Sequence, residues 1–209
     1  MELISLAAFL SFIGTCAVIE LTPGPNMAYL AVLSASNGRR AGFAATIGVA
    51  LGLLIVGIAA ALGVATIISN SPLAYQGLRM GGVIYLFYLA WDGWKDPADE
   101  HIQHPDTHAE HMKFFRRGLF VNLLNPKAAV FYIAILPRFI TMEASVTAQA
   151  VILTFTFVAI ATAIHSTIVI LAGTAQRFLT AQSRISIVRK TLSLALVAIA
   201  LWFAIKTGQ

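Results

Sequence analysis

The chain is 209 residues long, 58% hydrophobic and only 11% charged, whereas a soluble domain is roughly 25% charged. A soluble fold is excluded. The net charge of +5 calls for no nucleic acid, because the basic residues lie between apolar runs, where membrane topology explains them. The single cysteine, Cys16, rules out an intrachain disulfide. With no basic n-region and no small-residue cleavage site, the first apolar run reads as a retained helix.

Apolar segments long enough to cross a bilayer, at about 20 residues each, fall at 3–34, 41–69, 73–94, 117–139, 146–174 and 187–206. The expectation is an all-α integral membrane protein of six transmembrane helices; five, with one segment re-entrant or interfacial, is the alternative. Arg39 and Arg40 lie in the first loop, Lys95, Lys113, Arg116 and Arg117 in the third, and Arg177, Arg184, Arg189 and Lys190 in the fifth. The other side holds only Arg79, Arg138 and Lys206. The positive-inside rule then puts loops one, three and five in the cytoplasm and both termini outside.

Helix 1 is interrupted by Thr22-Pro23-Gly24-Pro25-Asn26. Its prolines lack N–H groups, so the carbonyls of Ile19 and Leu21 are expected to lose their helical donors, a flaw tolerated only where protein or water covers it. Gly24 can cap and Pro25 can start a new half-helix, leaving the amides of Asn26 and Met27 to bind an anion such as a carboxylate. An ordinary proline kink is the plain alternative. Glu20, just before the break, would cost about 2.5–3.5 kcal/mol at mid-bilayer. It fits a ligand for a substrate ammonium or a proton carrier, and equally a residue at the membrane interface.

Helix 4 carries a second break, Asn125-Pro126-Lys127, in which Asn125 is a good N-cap, Pro126 starts the turn and Lys127 adds a positive charge. A lysine inside an apolar helix needs a partner, which Glu20 or a substrate carboxylate would supply. A shift of 101 residues sets Pro25 on Pro126 and Ala28 on Ala129. Three helices before the polar loop and three after it then read as two inverted repeats with helices 1 and 4 broken, which is the sequence pointer to a transporter site. The chain is accordingly one polytopic membrane domain, 1–209, with repeat A at 1–94, a cytoplasmic loop at 95–116 and repeat B at 117–209.

The remaining features have plainer readings. His165, within helix 5, is a proton-relay candidate or a buried imidazole satisfied by a hydroxyl or carbonyl. His101, His104, His108 and His111 have metal-ligand spacing, but Pro105 and the surrounding acids fit a solvated loop, so no metal is assigned. Asp92 reads as a boundary residue. Gly48 and Gly52 form a GxxxG pair, as do Gly77 and Gly81, and both permit close helix approach within the chain or in a homodimer. Tyr85, Tyr88, Trp91 and Trp94 read as an interfacial aromatic belt.

Leu21-Thr22-Pro23-Gly24-Pro25-Asn26, Gly48-Val49-Ala50-Leu51-Gly52, Gly81-Gly82-Val83-Ile84-Tyr85-Leu86 with Trp91, and Arg117-Gly118, Asn122, Asn125-Pro126-Lys127-Ala128, Phe131 and Leu136-Pro137-Arg138-Phe139 resemble the lysine exporter and homoserine/threonine resistance family of bacterial amino-acid exporters. The resemblance spans nearly the whole chain. Arg138 stands where the family usually has glutamine, and an acidic residue found near the middle of helix 5 in some members is missing, with His165 close by. The resemblance implies a bacterial inner-membrane exporter of amino acids or close derivatives, driven by the proton motive force. No phosphate loop for nucleotide hydrolysis appears, and neither a cofactor nor an enzymatic nucleophile–base motif is read. The expected substrate site is Glu20, Thr22, Pro23, Gly24, Pro25, Asn26, Asn125, Pro126 and Lys127, with Glu20 and His165 as proton carriers. An uncoupled channel or facilitator is the alternative, and a non-transporting membrane subunit a more distant one.

Overall fold

The computed structural model describes residues 4–22, 24–62, 71–94, 108–142 and 144–176, with residues 190, 191, 194, 197, 198 and 201 of the last apolar segment. Expectations placed on Pro23, His101 and His104, and on the side chain of Asp92, lie outside the described residues. Every regular element among the described residues is helical.

The first helix, α1 (Leu6–Leu21), is capped by Ser5, whose hydroxyl accepts from the amide of Ala8 at 3.3 Å. Phe12, Cys16 and Glu20 are buried at a four-residue spacing, while Leu6, Leu10, Val18 and Leu21 are exposed on other faces. A helix with apolar residues all round, one stripe of which is covered, is what a bilayer-facing element requires. At its end the carbonyl of Ile19 accepts from the amide of Thr22 at 3.1 Å, so the expectation that this carbonyl is orphaned is corrected. A tightened last turn satisfies it from within the chain.

The next element, α2 (Pro25–Ala61), is continuous as a run of helical residues, yet Gly38 has φ 87° and ψ 173°, a conformation essentially reserved for glycine. The chain reverses there. A Cβ on Gly42 would collide with the hydroxyl of Ser34, eight residues earlier, although eight residues of straight helix rise about 12 Å. Asn122 likewise bonds Asn26 and lies against Gly52. The two arms, residues 25–37 and 39–61, are therefore an antiparallel hairpin, and the sequence expectation of a loop near Arg39 and Arg40 corresponds to this turn.

Two further long helices are α3 (Pro72–Trp94) and α4 (His108–Leu123). The loop expected to run through residue 116 ends earlier, because α4 starts at His108. Its first turns are amphipathic: Phe114 and Gly118 are buried while Lys113 and Arg116 are exposed, so hydropathy alone hides the helix start. After Leu124 comes α5 (Pro126–Val130), prolonged by a π turn over Phe131–Ile135 and a 3-10 turn over Leu136–Phe139. Residues 127–139 leave the axis of α4 at 51°. The last fully described helix is α6 (Val146–Gln176).

Glycine sets how closely these helices cross. A Cβ on Gly48 would fall on the carbonyl oxygen of Phe115, and one on Gly118 would fall on that of Ala45. The Gly48–Gly52 pair is thus spent on contact between α2 and α4 within the chain. Along α6, Gln149, Leu153, Phe157, Ala161, His165 and Val169 are all essentially buried, a strict four-residue stripe against the second arm of α2 and the π turn. Phe157 stacks on Phe131 at 3.7 Å between ring centroids, and Arg39 donates to the Ile170 carbonyl at 3.3 Å and the Thr174 hydroxyl at 2.9 Å. Among the described residues the second arm of Pro25–Ala61 and the helix Val146–Thr174 are long and apolar enough to cross a membrane, and the bent pair of α4 with residues 127–139 makes a third if it is taken as one span.

Candidate functional site

Helix α1 stops at Leu21 and α2 starts at Pro25; α4 stops at Leu123 and α5 starts at Pro126. The two interruptions meet. The ammonium of Lys127 donates to the carbonyl of Thr22 at 2.9 Å, the acceptor that an unbroken helix would give to the amide of Asn26. Gly24 makes room for this contact, since a Cβ there would lie 3.3 Å from Cδ of Lys127. Glu20, Gly24, Asn26, Met27, Leu53, Asn125, Lys127, Ala128 and His165 line the cavity so formed.

Charge in the cavity centres on Glu20, which is 6% exposed. One carboxylate oxygen lies 4.0 Å from Nζ of Lys127 and the other 3.3 Å from Nε2 of His165. His165 is 1% exposed and neither of its ring nitrogens has a hydrogen-bond partner among the described residues. The reading of His165 as an imidazole held by a hydroxyl or carbonyl is corrected: its neighbour is the carboxylate, and the hydroxyl of Thr167 bonds back to Ala163 at 2.9 Å.

The two helix starts are unequal. At α5 the side chain of Asn125 accepts from the amide of Lys127 at 3.0 Å, and its carbonyl takes the amides of Ala128 and Ala129 at 3.1 and 3.3 Å. The first-turn amides there are already spoken for, so only the Lys127 ammonium remains for an anion. At α2 the cap is Gly24, which has no side chain to offer; the amides of Asn26 and Met27 have no acceptor within their own helix. Thr22 contributes its carbonyl, while its hydroxyl returns to Val18 at 3.0 Å.

Of the residues expected at the site, Glu20, Gly24, Asn26, Asn125, Lys127 and His165 line one cavity, and Pro25 and Pro126 start the helices that bound it. Sequence reasoning placed the Met27 amide at the break but missed Leu53 and Ala128 as lining residues and Asn122 as a partner of Asn26. The signal for Asn122 was present: a carboxamide four residues after Gly118, on the buried face of α4.

A chain whose regular elements, among the described residues, are all helices, several of them long and apolar, with a polar cavity between helix ends, is a multi-pass membrane protein. It belongs to the LysE type translocator family, which matches residues 17–207. It is similar to the Pseudomonas aeruginosa membrane protein PA4757, 32% identical over 67% of each chain. It is also similar to the homoserine/homoserine lactone efflux proteins of Salmonella typhimurium and Salmonella typhi, each 29% identical over 72% of this chain and 73% of the relative. No solved structure matches.

Proposed function

We propose that this chain exports amino acids or close derivatives, of the homoserine, threonine or lysine type, across the bacterial inner membrane by secondary transport coupled to protons. The observation that carries the reading is the convergence of Glu20, Asn26, Lys127 and His165 on one cavity between two helix interruptions. A free amino acid presents a carboxylate and an ammonium on adjacent atoms. The amides of Asn26 and Met27 with the Lys127 ammonium suit the first, and the Glu20 carboxylate suits the second. Membership of a translocator family and similarity to the Salmonella homoserine/homoserine lactone efflux proteins support export over import.

In this reading 1–209 is one polytopic domain whose repeats, 1–94 and 117–209, are inverted and place their broken helices face to face, with loops one, three and five in the cytoplasm. The bond from Lys127 to Thr22 supports that pairing. Proton coupling falls to Glu20 with His165 beside it, since a carboxylate released by the substrate ammonium can exchange a proton with a neighbouring imidazole. The test is efflux from dipeptide-loaded cells carrying the wild type, Glu20→Gln or Lys127→Ala at equal membrane expression. Wild-type efflux from both variants would sink the site, and efflux indifferent to collapse of the proton gradient would indicate a facilitator.

A further inference from the structure

Asn26 and Asn122 form a buried carboxamide pair. Nδ2 of Asn26 donates to Oδ1 of Asn122 at 2.8 Å, with Asn26 6% and Asn122 0% exposed. This single bond leaves two buried polar atoms, Oδ1 of Asn26 and Nδ2 of Asn122, without a hydrogen-bond partner among the described residues. Buried polar atoms are nearly always paired, so each such exception needs an explanation. The fold goes out of its way to keep the pair: a Cβ on Gly52 would sit 2.9 Å from Nδ2 of Asn122, so the absent side chain there leaves room for the amide.

We infer that Asn122 is a positioning residue: it holds the amide nitrogen of Asn26 so that the Asn26 oxygen is left to accept from the ammonium of the substrate. This rests on the reading of the cavity as the substrate site. Asn26 lines that cavity and stands in the first turn of α2, where the substrate carboxylate would meet the backbone amides. The ammonium sits on the next carbon, so it falls beside the same turn and within reach of an acceptor borne by that turn. With its nitrogen donating to Asn122, the Asn26 carboxamide has its oxygen left over, and of the two ways such a pair can bond this is the one that a substrate ammonium selects. A carboxamide free to rotate would offer either end, and its nitrogen would repel an ammonium.

The test measures binding of L-homoserine and of its N,N,N-trimethyl derivative, which keeps the charge but has no N–H to donate, by purified protein in nanodiscs. The ratio of the two affinities does not depend on how much of a preparation is folded, which protects the result if a variant folds poorly. The wild type is expected to favour the free ammonium, and the preference to fall about tenfold, the worth of one charge-assisted hydrogen bond, in Asn26→Ala and Asn122→Ala alike. The double variant should lose no more than either single one, because the two act as a unit. An unchanged ratio in either single variant, or additive losses, would overturn the inference while leaving the transport reading intact. A wild type that binds neither compound and exports no amino acid from loaded cells would overturn both.

Discussion

The ammonium of Lys127 donates to the carbonyl of Thr22 at 2.9 Å while its stem packs over Gly24, so the first helix interruption is completed by the second. One lysine thereby performs two tasks, filling a vacant backbone acceptor and bringing positive charge within 4.0 Å of Glu20. Lys127→Met keeps the length of the stem and removes both. Hydrogen bonds to charged groups are worth about 1.5–3 kcal/mol, so efflux at matched expression should fall at least about tenfold. Lys127→Arg should recover only part of it, because a planar fork does not replace a compact ammonium against one carbonyl. Efflux assays on loaded cells check both.

The reversal at Gly38 is a second point of control. At φ 87° and ψ 173°, Gly38→Ala forces a side chain into a backbone region that costs about 1–3 kcal/mol. The expected outcome is a lower melting temperature of the purified protein in detergent. Gly14→Ala, at a position where a Cβ meets nothing within 4 Å, should be neutral or slightly stabilising, since alanine is the better helix former by about 1 kcal/mol.

The interruptions could be read from the sequence because proline and glycine act locally; their chemistry does not wait for the rest of the fold. The same holds for Gly48 and Gly52, although only the structure shows that Phe115, Leu119 and Asn122 of the same chain occupy the groove they leave. What could not be read were relationships between distant segments. That His165 faces Glu20 depends on the register of α6 against α1, which its four-residue buried stripe fixes only once the neighbours are in place. The two helix starts differ for a local reason that the sequence did show: Asn125 caps its own turn and Gly24 has no side chain to do so.

The close crossing of α2 and α4 predicts a steep cost for bulk. A Cβ on Gly48 or Gly118 would overlap a backbone carbonyl of the facing helix, and a carbonyl cannot rotate aside as a side-chain tip does. Overpacking of this kind costs about 1–3 kcal/mol or more. Gly48→Val and Gly118→Val should reduce the yield of folded protein in the membrane, read by detergent-solubilised size-exclusion profiles. Gly77→Ala, where a Cβ meets nothing within 4 Å, should leave the profile unchanged.

The last prediction separates binding from coupling at Glu20. Its two oxygens face different groups, the Lys127 ammonium at 4.0 Å and the His165 imidazole at 3.3 Å, and the three side chains are drawn from α1, the second interruption and α6. Glu20→Gln keeps the shape and removes the charge, so an incoming ammonium loses its counter-ion. His165→Gln leaves the carboxylate in place and removes only the imidazole. If Glu20 binds the substrate and His165 passes the proton, Glu20→Gln should raise the apparent KM for efflux at least about tenfold, the loss of a charge-assisted contact. His165→Gln should retain substrate affinity but lose the ability to accumulate substrate against its gradient. Both are measurable in proteoliposomes with an imposed pH difference. An unaltered response to that difference in His165→Gln would remove the imidazole from the coupling path and leave Glu20 to carry the proton alone.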